Sequence, residues 1–99
     1  MNRTERKELI RDMLKKHFVR GDKKRNVVYI SSYDFAGTDE HFEFALTEFQ
    51  RTRLIVIIGF DYSSREYEIW NIMNFEHTWN ECIYNRIQDA IVELNSLGE

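Results

Sequence analysis

Two apolar runs separated by a short polar segment dominate the second half of the chain and predict a β-hairpin. Residues 54–60 are apolar and mostly β-branched, and residues 67–73 form a second run of the same kind. The intervening residues 61–66 lack the Asn-Gly or Gly that a tight primed turn prefers, so a longer loop is expected. We expect the rest of the chain to cover this hairpin.

The predicted hairpin has two faces, because side chains alternate along a strand. The predicted core face carries Leu54, Val56, Ile58, Phe60, Tyr67, Ile69, Asn71 and Met73. The opposite face carries Ile55, Ile57, Gly59, Asp61, Glu66, Glu68, Trp70 and Ile72. This second face is apolar at the base of the hairpin and acidic at its tip. A helix or terminal segment could cover it, or it could be a surface for a partner.

Helical spacing of apolar residues predicts one helix near each end of the sequence. The first is bounded by a cap at Thr4 and an end at Gly21. The second begins with a capping box formed by Thr78 and Glu81 and ends at Gly98. The apolar stripes of the two helices contain Leu9, Ile10, Met13, Leu14, Phe18, Ile83, Ile87, Ala90, Ile91 and Leu94.

The region between the first helix and the hairpin predicts two more strands. Residues 27–35 are the first, and residues 36–39 form a turn. Residues 41–49 fit a helix or a strand, but Phe44 breaks the helical stripe, so a strand over 41–47 is favoured. The fold class is therefore α+β, in one domain over 1–99. Its order is helix, four-stranded antiparallel meander, helix, with the helices in a single layer on one face.

Composition excludes several classes of protein. The 42% hydrophobic content supplies a core of useful size, and the single cysteine, Cys82, excludes an intrachain disulfide or a multi-cysteine zinc site. The first residues lack the apolar core of a signal peptide, and no apolar run approaches the roughly 20 residues of a membrane span. We therefore expect a cytoplasmic protein that needs no membrane, metal or cofactor.

Charge is unevenly distributed along the chain although the net charge is only −3. Residues 1–26 hold ten Lys and Arg against four acids, and residues 27–99 hold four against thirteen. A basic first helix can be a solvated surface, a complement to the acidic remainder, or a nucleic-acid interface. The candidate nucleic-acid-binding residues are Lys7, Arg11, Lys15, Lys16, Lys23, Lys24 and Arg25.

The acidic tip of the hairpin is the main candidate site. Asp61, Glu66 and Glu68 should lie close together, and opposed carboxylates repel one another unless something neutralises them. The tip is a solvated acidic surface, a contact for a basic partner, or a metal site. An Asp on one strand and a Glu on the next resembles nucleases of the restriction-endonuclease type, which pair Asp with Glu-x-Lys. Here Trp70 takes the place of that lysine, so the resemblance does not imply the activity.

No catalytic pattern is present elsewhere, and a non-enzymatic protein is expected. The three histidines, His17, His41 and His77, lie in different elements, and the chain has neither a nucleophile elbow nor a glycine-rich phosphate loop. Tyr62, in the predicted loop, and Trp70, on the predicted strand, are less easily placed in the core, and such residues are typical anchors of an interface.

These features predict a protein-binding inhibitor that covers the surface of a nucleic-acid-binding protein or nuclease. In size, charge and lack of catalytic residues it resembles inhibitors encoded by phages and mobile elements, including anti-CRISPR proteins, and bacterial immunity proteins. The predicted partner-binding residues are Asp61, Tyr62, Glu66, Glu68 and Trp70.

Two other functions and one assembly remain open. The protein could be a nucleic-acid-binding accessory domain that uses the basic helix, or a degenerate nuclease-like domain. A homodimer could form through the face that carries Ile55, Ile57, Trp70 and Ile72.

Overall fold

The computed structural model describes residues 1–18, 28–29, 41–48, 51–75 and 81–97. The elements follow one another as helix, strands and helix, which gives the predicted α+β class. They are α1 (Arg3–Phe18), β1 (Val28–Tyr29), β2 (His41–Glu48), β3 (Arg51–Asp61), β4 (Glu66–Asn74) and α2 (Glu81–Ser96).

The sheet is antiparallel, with its strands in the order β1-β2-β3-β4. Three of these strands are long. Of the predicted strand over 27–35, only Val28–Tyr29 is described, as a two-residue pairing with the outer edge of β2. A full fourth strand is therefore not seen within the described residues. The strand predicted over 41–47 is confirmed as β2, so the helical alternative for this segment is wrong.

Helix α1 begins two residues earlier than predicted. The Asn2 side chain accepts a hydrogen bond from the Glu5 backbone N–H at 2.8 Å, and the Asn2 backbone N–H donates to the Glu5 carboxylate at 3.2 Å. This reciprocal pair is a capping box, and it places Thr4 inside the helix rather than at its cap. The predicted boundaries at Gly21, Thr78 and Gly98 lie outside the described residues.

The core forms between the two helices and one face of the sheet. Residues of even number on β2 and β3 point into it, as side-chain alternation requires. From the sheet the core takes Phe42, Phe44, Leu46, Leu54, Val56, Ile58, Phe60 and Tyr67. From the helices it takes Ile10, Met13, Leu14, Phe18, Ile83, Ile87, Ala90, Ile91 and Leu94.

A β-bulge corrects the predicted register in the lower half of the β3–β4 hairpin. Near the tip, the pairs Phe60–Tyr67 and Ile58–Ile69 match the prediction. The pairing then shifts by one residue between Ile57 and Ile58, and Ile57 pairs with Asn71 instead of Trp70. A bulge leaves two residues of one strand opposite a single residue of the other, so every later side chain of β4 changes face.

The predicted face assignment of the last β4 residues is therefore wrong. Ile72 pairs with Val56 and packs against the core, so it does not share a face with Ile55 and Ile57 as the dimer hypothesis required. Met73 pairs with Ile55 and is exposed, whereas alternation without a bulge predicts that it lies in the core.

Candidate binding surface at the hairpin tip

The loop that joins β3 to β4 has four residues, and Asp61 holds it in shape. The Asp61 carboxylate accepts hydrogen bonds from the Ser63 backbone N–H at 2.8 Å and from the Ser63 hydroxyl at 2.6 Å. The Arg65 N–H closes the loop on the Asp61 carbonyl at 2.6 Å, and Arg65 takes a left-handed φ of 59°. The longer loop predicted from the absence of Gly is therefore confirmed.

The bonds from Ser63 also change the acidity of Asp61. The Ser63 hydroxyl and then the Ser63 backbone N–H stabilise the charged form, and they hold the pKa of Asp61 below its ordinary value of 3.8. Asp61 therefore carries a negative charge at neutral pH while it holds the turn, so its carboxylate has a structural role beside any role in binding.

Gly59 provides the seat on which the Trp70 side chain lies. A Cβ atom at Gly59 would lie 1.9 Å from the indole Nε1 of Trp70 and 2.1 Å from its Cε2. No side chain larger than hydrogen fits between them, so the glycine is required by this close approach. Because Trp70 lies at the bulge, its ring reaches across β3 on the face opposite the helices.

Polar and aromatic neighbours fix the indole in this position. Its N–H donates to the Glu68 carboxylate at 2.8 Å, and its ring meets the edge of the His41 imidazole with 3.7 Å between centroids. His41 and Glu68 are the two cross-strand neighbours of Gly59, so both flank the seat. Trp70 is nevertheless 46% exposed. The sheet thus exposes part of a large aromatic ring that contacts Gly59, Glu68 and His41.

A shallow depression of about 320 Å³ adjoins this ring. We call the five predicted partner-binding residues the tip surface: Asp61, Tyr62, Glu66, Glu68 and Trp70. Four of them line the depression together with Phe60 and Ser63. Glu66 does not line it but pairs across the strands with Asp61. The structure therefore brings together the residues that the sequence indicated.

Two carboxylates of the tip surface make hydrogen bonds within the protein. Asp61 is bonded to Ser63, and Glu68 is bonded to the indole. Among the described residues, no group of three or more His, Cys, Asp or Glu side chains is placed to hold a metal ion.

Two of the predicted nucleic-acid-binding residues of α1, Arg11 and Lys16, lie beside acidic side chains of the protein itself. The Lys16 ammonium lies 2.9 Å from both carboxylate oxygens of Glu93 on α2, and Arg11 lies 3.8 Å from Asp12. The bond from Lys16 is the largest cause that lowers the pKa of Glu93. Lys7 is half-buried and Lys15 is exposed, whereas Lys23, Lys24 and Arg25 lie outside the described residues.

A second cavity, which the sequence did not indicate, lies on the helix side of the tip. It has a volume of about 300 Å³, and we call it the arginine pocket. Its lining residues are Met1, Arg6, Phe60, Tyr62 and Arg65. The Arg6 residue is only 5% exposed, and its guanidinium carbon lies 3.9 Å from the centroid of the Phe60 ring. Helical spacing could have found it, since Arg6, Ile10, Met13 and His17 share the buried face of α1.

Side-chain amides make hydrogen bonds to backbone groups at two places on the outer edge of β4. The Asn95 amide of α2 accepts from the Tyr67 N–H at 2.7 Å and donates to the Tyr67 carbonyl at 3.0 Å. The Asn71 side chain accepts from the Ile72 N–H at 2.9 Å. These bonds occupy backbone groups that could otherwise pair with another strand.

Searches of protein-family models, curated proteins and solved structures find no match. Within the part of the chain that the structure describes, no helix is long and apolar enough to cross a membrane.

Proposed function

We propose that this protein binds another protein through the tip surface and acts by covering a basic region of its partner. The observation that carries the proposal is the Trp70 ring, which is half exposed although Gly59, Glu68 and His41 hold it in place. An aromatic anchor that is already ordered loses little conformational freedom on binding, which favours affinity.

The charge of the tip surface indicates the chemistry of the partner. Asp61, Glu66 and Glu68 lie at the same end of the hairpin as the exposed rings of Tyr62 and Trp70, so a matching surface carries Lys or Arg beside an apolar recess. Proteins that handle nucleic acids present such surfaces. The finer proposal is therefore a non-enzymatic inhibitor, of the kind encoded by phages and mobile elements, that blocks a nuclease or another nucleic-acid-binding protein.

The β4 edge favours binding through side chains over strand addition. Asn95 and Asn71 occupy backbone groups of Tyr67 and Ile72 that an added strand would need. The partner is therefore expected to contact the ring and carboxylates of the tip surface rather than to extend the sheet.

The proposal is tested by capturing partners from host lysates with matched variants of the full chain. Trp70→Ala removes the anchor, whereas Tyr84→Ala removes a ring with the same 46% exposure on α2. We expect a partner that is recovered by the wild-type protein and by Tyr84→Ala but lost at least tenfold with Trp70→Ala, since anchors contribute about 2 kcal/mol or more. Equal recovery by the two variants would contradict the proposal.

The role of charge is tested with a second matched pair. Glu68→Lys reverses a charge in the tip surface, and Glu8→Lys reverses one on an exposed position of α1. We expect Glu68→Lys to weaken binding to the captured partner and to reduce its dependence on salt, while Glu8→Lys has little effect.

Nucleic-acid binding by the basic helix is the competing function, and a gel shift distinguishes it. Direct binding of DNA or RNA at low salt that weakens steeply with added salt, and that Lys7→Ala and Lys15→Ala reduce while Trp70→Ala does not, would favour the accessory-domain hypothesis.

A further inference from the structure

The two aromatic anchors of the tip surface are held from different sides of the sheet. Trp70 lies over Gly59 on the side opposite the helices, whereas Tyr62 belongs to the loop and is 53% exposed. Tyr62 and Phe60 line both the depression and the arginine pocket. The Tyr62 ring therefore lies where the tip surface meets the helix side of the molecule.

Helix α1 reaches this ring through Arg6. The residue is 5% exposed, and its guanidinium carbon lies 3.9 Å from the centroid of the Phe60 ring and 5.7 Å from that of Tyr62. Its Nη1 donates to the Tyr67 hydroxyl at 3.5 Å. Both centroid distances are within the roughly 6 Å at which a cation is attracted to an aromatic ring. One arginine of α1 therefore interacts with the aromatic side chains at the end of the hairpin.

The same rings also pack on one another. Phe60 meets Tyr62 edge to face with 5.1 Å between the centroids, and it lies 4.8 Å from the Tyr67 ring. Phe60 and Tyr67 are buried, so they form a fixed support for the exposed Tyr62. The orientation of Tyr62 therefore depends on one buried ring and on the guanidinium that stacks over that ring.

A charged residue on the buried stripe of α1 calls for a physical reason. Arg6 shares this face with Ile10 and Met13, where an apolar side chain would pack without the cost of taking a charge out of water. An apolar side chain lacks the flat, permanently charged group that stacks on aromatic rings. The position therefore fits a residue that orients the rings rather than one that only fills volume.

We propose that Arg6 is a positioning residue of the tip surface, which holds the Tyr62 ring in the orientation that the partner binds. This role rests on the proposed protein-binding function. Arg6 is only 5% exposed, so it acts through Tyr62 rather than by contact with the partner. A ring that is ordered before binding loses less freedom when the partner binds. Helix α1 thus contributes to affinity although it supplies none of the tip-surface residues.

The orientation of Tyr62 in the free protein is the first test, and it needs no partner. Three-bond NMR couplings about χ1 of Tyr62 report whether the side chain occupies one rotamer or several. We expect one dominant rotamer in the wild-type protein. We expect averaged couplings in Arg6→Met, which keeps a long unbranched side chain with good helix propensity but loses the flat cation.

Arg3→Met is the matched control. Arg3 lies on the same helix, and its guanidinium carbon is 4.4 Å from the centroid of the buried Phe42 ring. Both variants remove a stacked arginine, so a general loosening of α1 would affect Tyr62 equally in both. We expect the Tyr62 couplings of Arg3→Met to match those of the wild-type protein. Averaged couplings in the wild-type protein, or equal averaging in the two variants, would overturn the proposal. Arg6→Lys, which keeps the charge but not the plane, replaces Arg6→Met if that variant does not fold.

Affinity for the captured partner tests the consequence for binding. Arg6→Met should weaken binding about twofold to tenfold, the range that corresponds to ordering one side chain on binding. In a chain that carries Tyr62→Ala it should cause no further loss, whereas an arginine that only stabilised the fold would weaken binding by the same factor in both chains. Equal losses in the two chains would overturn the proposal. The two failures are distinct: capture of no partner contradicts the proposed function, whereas averaged Tyr62 couplings in the wild-type protein contradict the role of Arg6.

Discussion

The two faces of the β3–β4 hairpin are built from similar apolar residues but are held in different ways. On the helix side, Leu54, Val56, Ile58 and Phe60 are nearly or fully buried in the core. On the opposite side, Ile55 and Ile57 of β3 are only half-buried. The Trp70 ring lies over Gly59 and is half exposed.

The buried face is therefore expected to determine the stability of the fold, and the opposite face is expected to determine the proposed binding. The buried face gains stability from the apolar area that it removes from water, and any loss of volume there leaves a cavity. The opposite face holds Trp70 through a close approach to Gly59 and a hydrogen bond to Glu68. Variants of the two faces should therefore change different properties of the protein.

The largest effect is expected from truncating adjacent isoleucines on the two faces. Ile58→Ala creates a cavity at a position that is 0% exposed, and it should lower the free energy of unfolding by about 2–5 kcal/mol. Ile57→Ala removes the same atoms from the half-buried face and should lower it by less than half as much. Urea denaturation followed by circular dichroism measures both, and equal losses would contradict the assignment of the faces.

The next effect concerns the seat of the indole. Gly59→Ala places a methyl group on the Trp70 ring, and overpacking of this kind costs about 1–3 kcal/mol unless the ring moves away. We expect the indole to leave Glu68 and its fluorescence to shift to longer wavelength.

A double-mutant cycle isolates this contact. In a chain that already carries Trp70→Ala, the added methyl group no longer clashes with the indole. Gly59→Ala should therefore lower the free energy of unfolding less in that chain than in the wild-type chain. Additive changes in the free energy of unfolding would show that the ring does not lie on Gly59.

A smaller effect distinguishes the two amides at the β4 edge. Asn95→Ala removes both bonds to the Tyr67 backbone in a part-buried position, which should cost about 1–3 kcal/mol. Asn71→Ala removes one exposed bond to the Ile72 N–H and should cost less. Because each variant leaves part of the edge open, sedimentation should also show more self-association for Asn95→Ala than for the wild-type protein.

The smallest effect is a dependence of stability on pH. The bond from Lys16 lowers the pKa of Glu93 below its ordinary value of 4.5 in the folded protein, so the folded state binds fewer protons than the unfolded state. The resulting stability is present above the ordinary value and is lost as the pH falls through the lower folded pKa. Lys16→Ala should flatten the dependence below pH 4.5, and an unchanged profile would contradict this account.

The sequence predicted the hairpin, the strand over 41–47 and the pairing near the tip, because these features depend on alternation and on local turn chemistry. The same alternation predicted that Asp61 and Glu68, which line the depression, share a face, but it did not predict that Phe60 and the loop residues line it too. The register beyond Ile57 was not predictable in this way, since an inserted bulge residue leaves the pattern of apolar residues almost unchanged. Gly59 was the available signal, because a glycine inside an apolar strand often marks a bulge or a close approach.

The start of α1 and the arginine pocket depend on contacts that no single segment specifies. Thr4 and Asn2 are both acceptable caps, and the reciprocal bonds between Asn2 and Glu5 decide between them. An arginine in a basic segment predicts surface charge, although the helical spacing of Arg6 places it on the buried face. Its stacking on Phe60 comes from the packing of α1 beside the end of the hairpin, which the sequence does not show.

The central claim is that the bulge holds Trp70 over Gly59, on the side of the sheet opposite Phe60. Nuclear Overhauser effects from the Trp70 indole protons measure this directly in solution. The account predicts strong effects to the Gly59 α-protons and the His41 ring, and none to the Ile58 side chain, which is fully buried on the core side. Effects to Phe60 and Ile58 without any to Gly59 would place Trp70 on the core side and contradict both the register and the binding surface built on it.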